Sequence, residues 1–200
     1  MKNASENSRK LNRGARPVTL GQVLISIVIP AFNEAKYLPV SLKAAHRSRA
    51  VLGQAGWTSE VIVCDNNSTD DTAAVAKGNG ARVVFEQFNQ IAASRNAAAR
   101  AARGDWLVFV DADTQVTPKL FREMMRAMVR DDCLGGGCPV KFDSGPWLGR
   151  QTVTVWNMAA RVMRWAAGSF LFCRASAFHE LGGFSPDFFA GEEVDYCIRL

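Results

Sequence analysis

Four short apolar runs, rich in β-branched residues and lacking the alternation of a half-exposed strand, constrain this chain most. They are 23–30 (VLISIVIP), 60–65 (EVIVCD), 82–86 (RVVFE) and 105–110 (DWLVFV). A strand with one face in water alternates apolar and polar residues; a run without alternation is buried on both faces, as in a parallel sheet. One helical segment separates each run from the next. Residues 34–51 place Tyr37, Leu38, Leu42 and Ala45 at helical spacing, with Pro39 in the first turn. Ser68 or Thr69 is read as capping a second helix, with Asp70 and Asp71 in its first turn and an end near Gly78 and Gly80. Residues 91–103 are Ala-rich, and Gly104 is read as the helix stop. Strands joined by single helices imply an α/β, Rossmann-like, mostly parallel sheet with helices on both faces. Beyond it come an amphipathic helix (118–130), a Gly-rich extended stretch (133–142), an aromatic helical stretch (147–167), a strand (169–173), and a segment ending in Gly182-Gly183.

The chain's 200 residues, 48% of them hydrophobic, suit one domain with a full core. Its net charge of +5 is uneven: Lys2, Arg9, Lys10, Arg13 and Arg16 against Glu6 carry most of it. Residues 1–20 therefore read as a basic disordered arm, and 21–200 as the folded domain. The domain itself is close to neutral, which argues against nucleic acid as a partner. The arm has no apolar core, so it is not a signal peptide, and no run of the chain reaches membrane-spanning length. Five cysteines at irregular spacing fit reduced thiols in a cytoplasmic protein better than a disulfide framework, and two distant histidines offer no zinc site.

In open α/β sheets, ligands bind at the carboxyl ends of the strands. Three ends are acidic or amide-rich: Ala31-Phe32-Asn33-Glu34, Asp65-Asn66-Asn67-Ser68 and Asp111-Ala112-Asp113-Thr114. The sharpest local signal is the D-x-D of Asp111 and Asp113, whose oxygens suit Mg²⁺ or Mn²⁺ bridging a diphosphate. The plainer reading of that tripeptide is a loop or capping pair.

Four ordered blocks raise the first reading: ISIVIPAFNEAKYL (25–38), EVIVCDNNSTDDT (60–72), SRNAAARAARGDWLVFVDADT (94–114) and GGFSPDFFAGEEVDYCIRL (182–200). Together they resemble the inverting glycosyltransferases of family 2, which have the GT-A fold, and the likeness covers essentially everything after the arm. The resemblance implies that Glu34, with Asn33 beside it, and Asp65 hold the nucleotide's base and ribose. It implies that Arg95 lies against the nucleotide, that Asp111 contacts ribose or metal, and that Asp113 ligates the metal on the diphosphate. The family's last block usually carries a Glu-Asp pair whose second member is the general base. Here the pair is Glu192-Glu193, followed by Asp195, so the base is placed at Glu193, with Glu192 and Asp195 as alternatives. Helix-dipole charge is the plainer reading of all three. Family members usually continue past this point, so the domain is expected to lack its C-terminal part.

The chemistry is consistent with this assignment. A departing nucleoside diphosphate needs its developing charge stabilised, which a divalent ion does, and the attacking hydroxyl needs a base on the opposite face of the sugar. One metal pair and one separate carboxylate in a single displacement predict inversion. The expected partners are a nucleotide-sugar donor and a glycan, lipid-linked or small-molecule acceptor. Trp147, Trp156 and Trp165 with Arg150, Arg161 and Arg164 read as a core or acceptor-pocket helix; the sharper reading is peripheral contact with the cytoplasmic face of a membrane. Other classes fit less well. A haloacid-dehalogenase-type phosphatase shares D-A-D-T but has Thr or Val where Gln115 stands, no glycine-rich loop follows the first strand, and Gly78-Asn79-Gly80 ends a helix. A non-catalytic nucleotide-sugar-binding domain, or an inactive fragment, is the alternative from another class.

Overall fold

A computed structural model describes residues 23–139, 169–188 and 191–200, with positions 157, 158, 160, 163 and 166 between them. The basic arm and most of the aromatic stretch 147–167 lie outside the described residues.

The elements run β1 (Leu24–Ala31), α1 (Leu38–Gln54), β2 (Thr58–Asp65), α2 (Thr72–Gly78), β3 (Arg82–Phe85), α3 (Ile91–Ala101), β4 (Trp106–Val110), α4 (Pro118–Met128), β5 (Gly135–Gly137), β6 (Phe170–Arg174), α5 (Ala175–Glu180) and α6 (Glu192–Arg199). They build one sheet in the order β3-β2-β1-β4-β6-β5. β3, β2, β1 and β4 are mutually parallel, whereas β6 runs antiparallel to β4, and β5 antiparallel to β6. The sheet is thus α/β and mostly parallel, as its non-alternating strands require. The register Ala31↔Asp65 brings the ends of β1 and β2 level.

Both faces of the sheet are covered. One core gathers Ile25, Ile27 and Ile29 of β1 with Trp106 and Val108 of β4, Leu42 of α1 and Phe121 of α4. The other gathers Val28, Leu107 and Phe109 with Ala98 of α3, Phe178 of α5 and Tyr196 of α6. At the starting end of the strands, Glu60 takes hydrogen bonds from Ser26 Oγ (2.7 Å), the Arg103 backbone N–H (2.8 Å) and Arg82 Nη2 (2.9 Å). Burial works against its charged form, but those bonds prevail and hold the Glu60 carboxyl below its ordinary range.

Two local readings of the sequence change. Asp70 and Asp71 precede α2 instead of lying in its first turn, and Asp71 is the N-cap without a side-chain bond. Asp70 turns back on the loops, accepting from Thr72 N (3.0 Å), Thr72 Oγ1 (2.5 Å) and Ala35 N (3.1 Å). A short polar side chain in a turn bonds nearby backbone as readily as it caps a helix. Gly104 does not stop α3, which ends at Ala101. It allows a close approach instead: an added Cβ would lie 2.6 Å from Ser26 N and 2.8 Å from Trp106 O. Gly104→Ala is therefore expected to lower unfolding stability by about 1–3 kcal/mol, because two backbones must separate. Gly53, near the end of α1, has nothing within 4 Å of an added Cβ. Gly53→Ala should be neutral or gain up to about 1 kcal/mol. Urea midpoints of the two variants read the contrast directly; equal midpoints would contradict it.

Candidate active site

The loops after β1 and β2 are stitched into one rim. Asn33 adopts a left-handed backbone (φ 56°), which asparagine tolerates, and so does Asn67 (φ 60°). That turn aims the Asn33 N–H at Ser68 Oγ (3.0 Å) and lets Asn33 Oδ1 accept from Thr69 N (2.8 Å). The Glu34 N–H donates to Thr72 Oγ1 (2.8 Å). Asp65 is buried and accepts from Ser68 N (3.2 Å). Asn66, also buried, donates from Nδ2 to the carbonyls of Glu86 and Phe88, tying the rim to the segment that leads into α3.

This rim borders a cleft of about 430 Å³, lined by Glu34, Asp111 and Asp113 together with Asn66, Asn89, Gln90 and Ser94. Phe32 at 47%, Ile91 at 37% and Phe88 at 65% exposure leave apolar surface at or beside its mouth. Glu34 feels burial first and then the negative charges of Asp113, Asp70 and Asp111, and its carboxyl is pushed above the ordinary range. The Asp111 carboxyl is also raised: burial outweighs the neighbouring Arg95 guanidinium. A wall of mutually repelling carboxylates favours the arrival of a cation.

Under the cleft lies a buried ionic cluster. Arg95, on α3, is 1% exposed. Its Nη2 donates to Asp111 Oδ1 (2.9 Å), and its Nη1 donates to Glu192 Oε1 (2.6 Å) and Glu193 Oε1 (2.5 Å). Three carboxylates share one guanidinium, and the nearness of Asp111 and Glu193 raises the Arg95 pKa despite burial. Glu192 is buried, and that burial lifts its carboxyl above the ordinary range. The Glu193 side chain retains 14% of its surface. Asp195 is engaged elsewhere, accepting from Arg199 Nε (2.8 Å), which also donates through its Nη groups to the carbonyls of Leu181 and Gly183. Burial raises the thiol pKa of Cys64 to about 11 and that of Cys173 to about 12, so neither is a thiolate nucleophile at neutral pH.

Of the residues singled out in the sequence, Glu34, Asp111 and Asp113 line the cleft together. Arg95, Glu192 and Glu193 meet one another and Asp111 just below, while Asn33 and Asp65 build the rim from behind. Asn66, Asn89 and Gln90 were not picked out as site residues. An amide run at a strand end, and a second one preceding an Ala-rich helix, were the available signals.

Residues 26–193 match the model of the family described as glycosyl transferase family 2. The chain belongs to that family. Among curated relatives, an uncharacterized glycosyltransferase of Mycobacterium tuberculosis (strain ATCC 25618 / H37Rv) is 33% identical over 143 residues, covering 68% of this chain and 60% of the relative. One of Rickettsia prowazekii is 34% identical over 82 residues, which is 41% of this chain and 28% of the relative. The chain thus spans about 60% of the length of the mycobacterial relative. Among solved structures, a mannosyltransferase from Pyrobaculum calidifontis in complex with GDP-Man and Mn²⁺ superposes with a TM-score of 0.68 at 20% identity, covering 94% of this chain and 55% of that one. S. aureus TarS 1–349 gives a TM-score of 0.65 at 18% identity, covering 88% and 54%. These likenesses establish the fold as GT-A. Among the described residues, no group of three His, Cys, Asp or Glu side chains is placed to hold a metal by itself. No helix among them is long and apolar enough to cross a membrane.

Proposed function

We propose that the protein transfers a sugar from a nucleotide-sugar donor to an acceptor hydroxyl with inversion, in a reaction that uses a divalent cation and a carboxylate base. The observation that carries this reading is the convergence of Glu34, Asp111 and Asp113 on one cleft, with a second acid pair, Glu192 and Glu193, linked to Asp111 through Arg95. Relatives in family 2 support the reaction class, and the P. calidifontis mannosyltransferase, solved with GDP-Man and Mn²⁺, supports the donor type and the ion.

The donor set fits Mg²⁺ or Mn²⁺. Two carboxylates without a third ligand suit an ion that completes its shell with water and substrate phosphates. Asp113 and the Asp111 oxygen not used by Arg95 would hold it, and when bound it would stabilise the negative charge of the departing diphosphate. Alongside Glu34, the cleft offers the nucleotide the side-chain oxygens of Asn66 and Gln90, whose N–H groups are spent on backbone carbonyls, and the amide of Asn89. Glu193 is the base in this reading because Arg95 joins it to Asp111 at the cleft and it is less buried than Glu192, whereas Asp195 pairs with Arg199 outside that cluster. It would accept the acceptor hydroxyl's proton as that oxygen attacks the sugar carbon opposite the leaving group. Glycan, lipid-linked and small-molecule acceptors are all compatible with an open cleft that has apolar surface near its mouth.

Thermal unfolding with UDP, GDP, dTDP or ADP, each with and without Mn²⁺ or Mg²⁺, tests the donor site. One nucleotide at a hundred times its dissociation constant should stabilise the fold by about 2.7 kcal/mol in the presence of metal. Asp113→Asn should remove most of that gain without lowering the unliganded midpoint. No shift with any nucleotide would sink the reading.

A further inference from the structure

Among the described residues, α3 and its N-cap Gln90 grip residues 183–188 and the start of α6 at three points. Gln90 Nε2 donates to the carbonyls of Pro186 (2.5 Å) and Phe188 (3.3 Å). Asn96 pairs with Phe184 in both directions, Nδ2 donating to its carbonyl (2.8 Å) and Oδ1 accepting from its N–H (3.0 Å). Gly183 permits that pairing, because a Cβ there would lie 2.6 Å from Asn96 Oδ1. These two grips are neutral and hold loop backbone. The third is ionic: Arg95 Nη1 reaches both acids that open α6, and Nη2 reaches Asp111 at the end of β4.

The geometry makes this third grip different in kind. Glu192 and Glu193 are adjacent, and the first is 1% exposed. Like charges so placed would turn out to water without a cation between them. The neighbouring Arg199 does not serve, because it is directed to Asp195 (2.7 Å) and to two carbonyls. Arg95 is also packed over the Phe184 ring, 5.6 Å from its centroid, which limits the guanidinium's freedom to swing. A planar fork can hold carboxylates on two sides at once; a lysine ammonium is a point charge on a flexible stem.

We propose that Arg95 is the positioning residue of this site: its single buried guanidinium sets the α6 acid pair against Asp111, so that the base side and the donor side are fixed relative to each other. This assigns Arg95 to the protein's own carboxylates instead of to the nucleotide. The inference builds on the transferase reading, and its test has one arm that needs no substrate.

That arm compares backbone hydrogen exchange in the unliganded wild type and in Arg95→Lys, which keeps the charge and loses the fork. Exchange of the α6 amides should rise by about tenfold or more, while β1 and β2 stay protected. In the kinetic arm, kcat of Arg95→Lys should fall by about a hundredfold with little change in the donor KM, the mark of a displaced base. Arg95→Met should be worse in both. Unchanged α6 exchange, or a raised donor KM with kcat intact, would overturn the proposal in favour of a direct nucleotide contact. If the wild type shows no transfer at all, the transferase reading fails and the exchange arm still decides the positioning claim. If Arg95→Met does not fold, Arg95→Lys alone decides both arms.

Discussion

Glu193→Gln is expected to lower turnover by about 10²–10⁴-fold while the nucleotide-dependent thermal shift survives. Glutamine keeps the side chain's length and still offers Oε1 to Arg95 Nη1, the contact Glu193 makes at 2.5 Å. What it loses is the ability to take a proton. The fold should not suffer, because Arg95 keeps Asp111 and Glu192 as partners, and one of three mutually repelling carboxylates is removed. Glu192→Gln makes the useful comparison: being buried, it should affect turnover less and α6 placement more. Initial rates of sugar transfer, read beside nucleotide-induced midpoint shifts, separate base from scaffold. A Glu193→Gln variant with wild-type rates would move the base elsewhere. A wild type that binds nucleotide and never turns over would favour a binding module.

The central sheet was legible because buried parallel strands announce themselves: 23–30, 60–65, 82–86 and 105–110 each hold β-branched or aromatic residues without alternation. The carboxyl ends followed from the topology, and with them the meeting of Glu34, Asp111 and Asp113. The direction of β6 did not follow. Its run, Phe170–Arg174, is fully buried, and an apolar run reads the same whichever way its neighbour points. The role of Asp70 is not legible locally, because first-turn helix charge and loop-stapling by a short carboxylate differ only by a shift of a few residues in where the helix starts. The partners of Arg95 were hidden for another reason. Glu192 and Glu193 lie 97 and 98 residues away, and no local pattern in an Ala-rich helix reports a buried ion pair at that range. Gly104 is hidden on similar grounds: a glycine after an Ala-rich run has the pattern of a helix stop, and its close approach to the backbone of β1 leaves no mark in the local sequence.

Phe109→Ala should damage both the fold and the site, lowering unfolding stability by about 3–5 kcal/mol. Phe109 is 1% exposed and leaves the sheet on the α3 side. Its ring lies 5.0 Å from that of Phe184, edge-on, and 5.3 Å from that of Phe178. Phe178 and Phe184 in turn pack on Tyr196 at 5.4 and 5.1 Å. Four rings thus connect β4 to α6, so a cavity at Phe109 opens beneath the helix that carries Glu192 and Glu193. A domain with a total stability of about 5–15 kcal/mol would keep its fold but lose much of its margin. Phe109→Leu, which refills part of the space, should cost clearly less. The functional consequence differs from that of Asp113→Asn: nucleotide and metal should still stabilise the protein, though less than in the wild type because Asp111 follows β4 and is tied through Arg95 to the Phe184 ring, whereas kcat should fall further as α6 loosens. Denaturant midpoints for Ala and Leu, with donor titrations of each, test the connection. A loss below about 1 kcal/mol for the alanine variant would mean that the four rings do not form a packed unit, and the placement of α6 would then rest on Arg95 and the backbone grips of α3 alone.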